Sequence, residues 1–117
     1  MNLDKAILIA TTAHQGQVDK AGAPYILHPL RVMFGCKTGD EQICAVLHDV
    51  IEDTDITLGD LRASGFKEEI LNALDALTKR KHETYDDFIN RVMQNQLACH
   101  VKLADISDNM NLGRIPN

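Results

Sequence analysis

His48, Asp49, Glu52 and Asp53 lie within the run Ala45-Val46-Leu47-His48-Asp49-Val50-Ile51-Glu52-Asp53-Thr54. Taken singly they are unremarkable. Acidic residues on a helix ordinarily form a solvated face, and one histidine among apolar neighbours is ordinarily a core residue. Together they interrupt a strongly apolar stretch with mostly anionic groups, and the stretch holds no lysine or arginine to balance them. Carboxylates taken out of water need a positive partner. A divalent cation would supply one. On a continuous helix, residues four apart share a face, so His48 would lie over Glu52 and Asp49 over Asp53.

Further ligands are available elsewhere in the chain. His28 stands where a Gly/Pro-containing loop meets an apolar segment, and Asp105 ends the apolar run Val101-Lys102-Leu103-Ala104-Asp105. Asn109, four residues on, shares the face of Asp105. Two histidines (His28, His48) and two carboxylates (Asp49, Asp105) from three helices make a mixed nitrogen/oxygen set. Such a set suits manganese, iron or zinc better than calcium, which prefers oxygen alone. With four protein ligands, an octahedral ion keeps positions open for water and substrate.

The elements that must carry these residues read as helices almost throughout. Leu3, Ala6, Ile7, Ala10 and Ala13 mark one face of a first helix, with Asp4 in its first turn. Residues 18–24, with Gly22 and Pro24, form a loop. Pro29 suits the first position of a second helix running to Cys36, which Gly35 and Gly39 end. Asp40 is the expected N-cap of a third, with Ile43, Val46, Leu47, Val50 and Ile51 inward. Thr57 and Asp60 match a capping arrangement for a short helix that Gly65 stops. Ile70, Leu71, Leu74 and Leu77 define a helix ending near Thr78. Thr84 and Asp87 open another, with Phe88, Ile89, Val92 and Met93 inward. A last helix runs from about Leu97 through Met110. Strand-like alternation is absent, so the expected fold is all-α: one compact helical bundle over residues 1–117.

Length and composition agree with one globular domain. The chain has 117 residues, 44% apolar and 25% charged, enough for a core without disulfide staples. Twelve basic against seventeen acidic residues give a net charge of -5, and only 4% of residues are aromatic. A surface for DNA or RNA would be basic and, for single strands, rich in stacking rings. Nucleic acid is therefore not an expected partner. No apolar run is long enough to span a bilayer, and the N-terminus lacks the apolar stretch of a signal peptide. Cys36, Cys44 and Cys99 form no C-x-x-C pair and sit among apolar residues, as buried, reduced thiols of a cytoplasmic protein would. His14 reads as structural, and His82 and His100 have no evident partner.

The order His28, His48-Asp49, Asp105 resembles the HD superfamily of metal-dependent phosphohydrolases. The surrounding words narrow this. Ala13-His14-Gln15-Gly16-Gln17, Lys20 and Pro24-Tyr25-Ile26-Leu27-His28-Pro29-Leu30 resemble the opening of the hydrolase domain of the RelA/SpoT family. The run from Ala45 to Thr54 resembles its central motif. Leu77-Thr78-Lys79 and Val101 to Asp105, followed by Asn109-Met110, resemble its later ones. The resemblance implies a small alarmone hydrolase that removes pyrophosphate from the 3′ position of guanosine tetraphosphate (ppGpp) with a divalent metal, foremost manganese. It further implies His28, His48, Asp49 and Asp105 as metal ligands and Glu52 and Asp53 as the catalytic acid pair. Asn109 matches a residue lining the nucleotide site, and Lys20 and Lys79 are placed to hold phosphate oxygens. A bound metal activates water, and a neighbouring carboxylate moves protons at the leaving oxygen.

Three departures from the family pattern accompany these matches. The position before Lys20, usually an arginine that packs on guanine, is Asp19, which offers no cation–π contact and a repulsive charge. Asn111-Leu112 stands where arginine-threonine is common. The chain stops at Pro116-Asn117 where family members usually continue into further helices, so the expected domain is shortened at its C-terminal end. Asp19 keeps open an HD phosphohydrolase for another phosphorylated metabolite, and a non-catalytic nucleotide- or metal-binding regulatory module is the other alternative.

Overall fold

The structure, a computed structural model, describes residues 2–110. The departures at Asn111-Leu112 and Pro116-Asn117 lie outside the described residues. Among those described there are eight helices: α1 (Leu3–Ala13), α2 (Leu27–Phe34), α3 (Gly39–Leu47), α4 (Val50–Asp53), α5 (Leu58–Ala63), α6 (Glu68–Leu77), α7 (Tyr85–Met93) and α8 (Gln96–Asn109). The all-α expectation holds. None of these helices is long and apolar enough to cross a membrane.

Helix starts follow local side-chain chemistry. Asn2, Thr38, Thr57, Thr84 and Asn95 each accept a hydrogen bond from the backbone N–H three residues on, satisfying an N–H that the helix itself leaves unpaired. Thr57 and Asp60 form the reciprocal pair expected of them. Gly65, at φ +99°, takes the left-handed conformation that stops α5. Two boundaries differ from expectation. Thr38 rather than Asp40 caps α3, leaving Asp40 in the first turn, where its charge suits the helix dipole. Helix α2 begins at Leu27, so Pro29 is its third residue, still within the turn whose N–H groups need no intrahelical partner.

Helix α3 is the centre of the bundle and packs on α1, α2, α6 and α8. Cys44, Ala45, Val46 and Leu47 are wholly buried, so the C-terminal half of this helix is apolar on every side. The amphipathic helices close around it through Ala6 and Ala10, Val32 and Met33, Ile70, Leu71 and Leu74, and Ala98 and Val101. Phe88 and Val92 of α7 face inward as the periodicity predicts, but Met93, at the helix end, is exposed. Cys36 and Cys44 are buried free thiols and Cys99 is half-buried.

The main departure is in the third helix, which the sequence pattern extends through Asp53. The hydrogen-bond ladder is interrupted at His48-Asp49, whose backbones stay in the right-handed helical region, and resumes as α4. The His48 ring supplies the reason. Its Nδ1 donates to the Ala45 carbonyl at 2.5 Å, the acceptor that a continuous helix would offer to the N–H of Asp49. A side chain that bonds a nearby carbonyl competes with the helix ladder. The break turns His48 inward, and Glu52 and Asp53 remain exposed.

Candidate metal centre

Three parts of the bundle meet at one point. His28 lies in the first turn of α2, His48 and Asp49 at the α3–α4 break, and Asp105 on α8. His28 Nε2 is 2.9 Å from Asp105 Oδ1 and 3.8 Å from Asp49 Oδ2. His48 Nε2 is 3.1 Å from Asp49 Oδ2 and 3.4 Å from Asp105 Oδ1. One ligand atom from each of His28, His48 and Asp49 falls within 4.8 Å of the others. The four ligands expected from sequence are thus brought together.

Both imidazoles are aimed from behind. The Ala45 carbonyl can only accept, so Nδ1 of His48 carries the proton and Nε2 faces the carboxylates. His28 Nδ1 donates to Asp108 Oδ2 at 2.7 Å, and Asp108 Oδ1 accepts from Arg31 Nε at 2.8 Å. A carboxylate behind a ligating histidine fixes its tautomer and raises its basicity. Tyr25 donates its hydroxyl to Asp49 Oδ2 at 2.5 Å, and Lys102 Nζ contacts Asp105 Oδ2 at 3.1 Å.

The loop before α2 positions Tyr25. Asp19 N–H bonds the Ala23 carbonyl, Tyr25 N–H bonds the Gln17 carbonyl, and Val18 pairs with Pro24, pinching residues 17–25 shut. Gly22 allows the turn, at φ +86°. Asp19 Oδ1 accepts from the N–H groups of Ala21 and Ala23 at 2.9 and 3.0 Å. The carboxylate that sequence reading set against a nucleotide is therefore held in place by its own loop and keeps its charge on the wall of the site.

Electrostatics point to a missing positive charge. Burial drives the pKa of His48 down, but Asp105 and Asp49 overcome it and raise it to about 10; His28 is raised in the same way by Asp105 and Asp108. Burial acts upward on Asp105 and Asp49, yet the facing histidines hold both below the usual carboxylate range. Tyr25 is pushed far up by burial and by Asp49, so its hydroxyl stays a donor. His48 Nε2 faces the Asp49 and Asp105 carboxylates at 3.1 and 3.4 Å, close enough for ion pairing, but it is buried and makes no well-aligned hydrogen bond with either, an arrangement that is costly for a buried polar atom. Two imidazole nitrogens and two carboxylates around such an atom fit a divalent ion of the manganese, iron or zinc kind.

No protein-family model matches the chain. Over 92% of its length it is 33% identical to guanosine-3′,5′-bis(diphosphate) 3′-pyrophosphohydrolase of Vibrio cholerae and 33% identical to the bifunctional (p)ppGpp synthase/hydrolase SpoT of Escherichia coli. A solved structure described as a metazoan ortholog of SpoT that hydrolyses ppGpp superposes with a TM-score of 0.74 at 24% identity. The match covers 92% of this chain and 67% of that one. The chain resembles SpoT-type pyrophosphohydrolases. It spans about a sixth of the length of the two bacterial relatives, 17% of each, and it has the fold of the metazoan hydrolase.

The remaining residues expected at a SpoT-type site are placed as follows. The Asp53 N–H bonds the Asp49 carbonyl at 3.0 Å, so Asp53 stands one helical turn beyond Asp49. Glu52 Oε1 accepts the Lys79 N–H at 2.7 Å, tying α4 to the end of α6. Asp53 is raised by burial and by the charge of Asp49, which places its carboxyl in the field of the cluster. Asn109 lines the site cavity and its amide lies 3.4 Å from Asp105 Oδ1. Lys20 is exposed beside Asp19, and Lys79 Nζ turns to the Arg80 carbonyl; neither lysine lines that cavity. His14 is buried and linked through Gln17 to the Asp53 carbonyl, and its Nε2 is buried without a hydrogen bond. His100, expected to lack a partner, pairs with Glu41 at 3.0 Å. Sequence reading missed Tyr25, Arg31, Lys102 and Asp108. The only signal was spacing: Arg31 follows His28 by three residues, and Asp108 follows Asp105 by three.

Proposed function

We propose that this chain is a metal-dependent pyrophosphohydrolase that cleaves the 3′-pyrophosphate of ppGpp, consuming water and releasing GDP and pyrophosphate. One observation carries the reading: two histidines, each tied back through Nδ1, turn Nε2 toward Asp49 and Asp105, in a chain similar to ppGpp hydrolases. His28, His48, Asp49 and Asp105 would hold the ion, for which manganese is the proposed identity. When bound, such an ion lowers the pKa of water and offsets charge on the phosphoryl group.

The chain's own residues supply the rest. Tyr25 and Asp108 hold Asp49 and His28 in ligating orientation. Asp53, its pKa raised by burial and by Asp49, is the group that passes a proton to the leaving 3′ oxygen of the ribose. Glu52, anchored on the Lys79 backbone N–H, orients the attacking water. Asn109 contacts the nucleotide, with Lys20 and Lys79 at the rim as phosphate contacts. The substrate is a small phosphorylated nucleotide, and the free cysteines support a cytoplasmic location.

The test is incubation of manganese-, iron- and zinc-loaded protein with ppGpp and chromatography for GDP. Release of GDP and pyrophosphate is expected. Turnover of other phosphorylated metabolites without GDP release would favour the broader HD hydrolase. Nucleotide binding with no turnover on any substrate would favour the regulatory module.

A further inference from the structure

The site opens into a cavity of about 240 Å³ lined by Asp19, Tyr25, His28, Arg31, Asp49, Asp105 and Asn109. Three of these seven are carboxylates, so the wall as built repels a polyphosphate. A bound divalent ion offsets part of that charge, and the histidines become neutral ligands once it binds. Among the described residues, Arg31 is then the one permanent side-chain cation in the lining. Its geometry separates two tasks within one side chain. The Nε edge is committed to Asp108 Oδ1 at 2.8 Å, and the side chain remains 31% exposed. Among the described residues this is the guanidinium's only hydrogen bond, which leaves the Nη groups for a ligand.

The same side chain also lines a neighbouring groove of about 520 Å³ with Lys37, His100 and Ser107. Arg31 thus forms the wall between the ion cavity and a second space wide enough for the remainder of a nucleotide. A planar guanidinium held along one edge offers its other edge as a preorganised fork for phosphate. The orientation costs no further side-chain entropy on binding, because Asp108 has already fixed it.

We infer that Arg31 is a substrate-specificity residue, binding a phosphate group of the substrate through its Nη nitrogens while its Nε supports Asp108. The inference deepens the hydrolase reading by assigning the phosphate contact that neither Lys20 nor Lys79 makes within the cavity. Arg31 acts on substrate affinity, and Asp108 acts on the metal.

The discriminating variant is Arg31→Gln, whose amide can still donate to Asp108 but carries no charge. Four quantities are read on the purified full chain: bound manganese, the KM and kcat for ppGpp, and the calorimetric Kd of the manganese-loaded protein for inorganic pyrophosphate. The expected result is unchanged manganese stoichiometry, with KM and Kd each weakened about tenfold, the scale of one charge-assisted hydrogen bond, and a much smaller change in kcat. Arg31→Lys should fall between the two, and it gives the same discrimination should the glutamine variant fail to fold. Loss of manganese with unchanged KM would overturn the inference and reduce Arg31 to a support for Asp108. Unchanged KM and Kd in an active enzyme would also overturn it while leaving the hydrolase reading intact. If wild type does not hydrolyse ppGpp yet loses pyrophosphate affinity on Arg31→Gln, the phosphate site stands and the hydrolase reading falls.

Discussion

Replacing Asp108 by Asn separates the residue that aims a ligand from the ligands themselves. Asp108 is nearly buried, with 8% of its side chain exposed, and its partners include His28 Nδ1 at 2.7 Å and Arg31 Nε at 2.8 Å, both of which donate to it. An asparagine has one acceptor oxygen where the carboxylate had two. Whichever donor takes it, the other meets an N–H₂ group and is left unsatisfied. Each lost charge-assisted bond at a site this dry is worth ~1.5–3 kcal/mol. Not all of that reaches the ion, since His28 can relax within the first turn of α2. Loss of a partner behind a ligating histidine ordinarily weakens metal binding ~10–100-fold, or roughly 1.4–2.7 kcal/mol. The assay is a calorimetric titration of manganese into chelator-stripped wild type and Asp108→Asn. His48→Ala, which removes a ligand outright, serves as the reference for lost stoichiometry. Asp108→Asn should keep one site per chain with an affinity lowered into that range, whereas His48→Ala should lose the site. An unchanged manganese affinity in Asp108→Asn would refute the role given to the carboxylate behind His28.

Glu52→Gln keeps an oxygen for the Lys79 N–H, and Asp53→Asn leaves the ion ligands untouched; each should retain manganese and lose roughly 10²-fold or more in kcat, and full turnover in the double variant would remove both from the mechanism. The metal-free protein should lose thermal stability as pH rises. The folded pKa of His48 is raised from 6.5 to about 10, so its contribution is complete below pH 6.5 and lost as pH climbs through about 10. An ion replaces that proton, so the melting curves of loaded protein should lack this slope, and parallel pH profiles with and without metal would contradict the cluster's proton balance. Arg91→Met should destabilise the fold by about 1.5–3 kcal/mol in urea unfolding, because Arg91 bonds the Asp75, Ala76 and Thr78 carbonyls at the end of α6 as well as Glu83. Metal affinity should be unaffected, and a midpoint equal to wild type would remove that contact from the stability of α6.

What the sequence determined by itself was local. Caps at Thr57 and Thr84, the stop at Gly65 and the apolar stripes of α1 and α6 depend on residues a few positions apart, so every helix except the separate α4, and most boundaries, were legible. The candidate ligand types were legible too, because buried carboxylates and a histidine without a basic neighbour call for a cation wherever the chain runs. Tertiary structure decided what depends on distant partners. His28 meets Asp105 and Asp108 across separations of 77 and 80 residues, and no periodicity encodes that pairing. The break at His48 was also hidden: a ring can bond the carbonyl below it or leave the helix ladder intact, and the need to face Asp105 on α8 decides which. For the same reason Asp19, by type a charge opposed to a polyphosphate, is held in place by its own loop. Arg31, by position an ordinary surface residue of α2, became the cation of the cavity once Asp108 was packed against it.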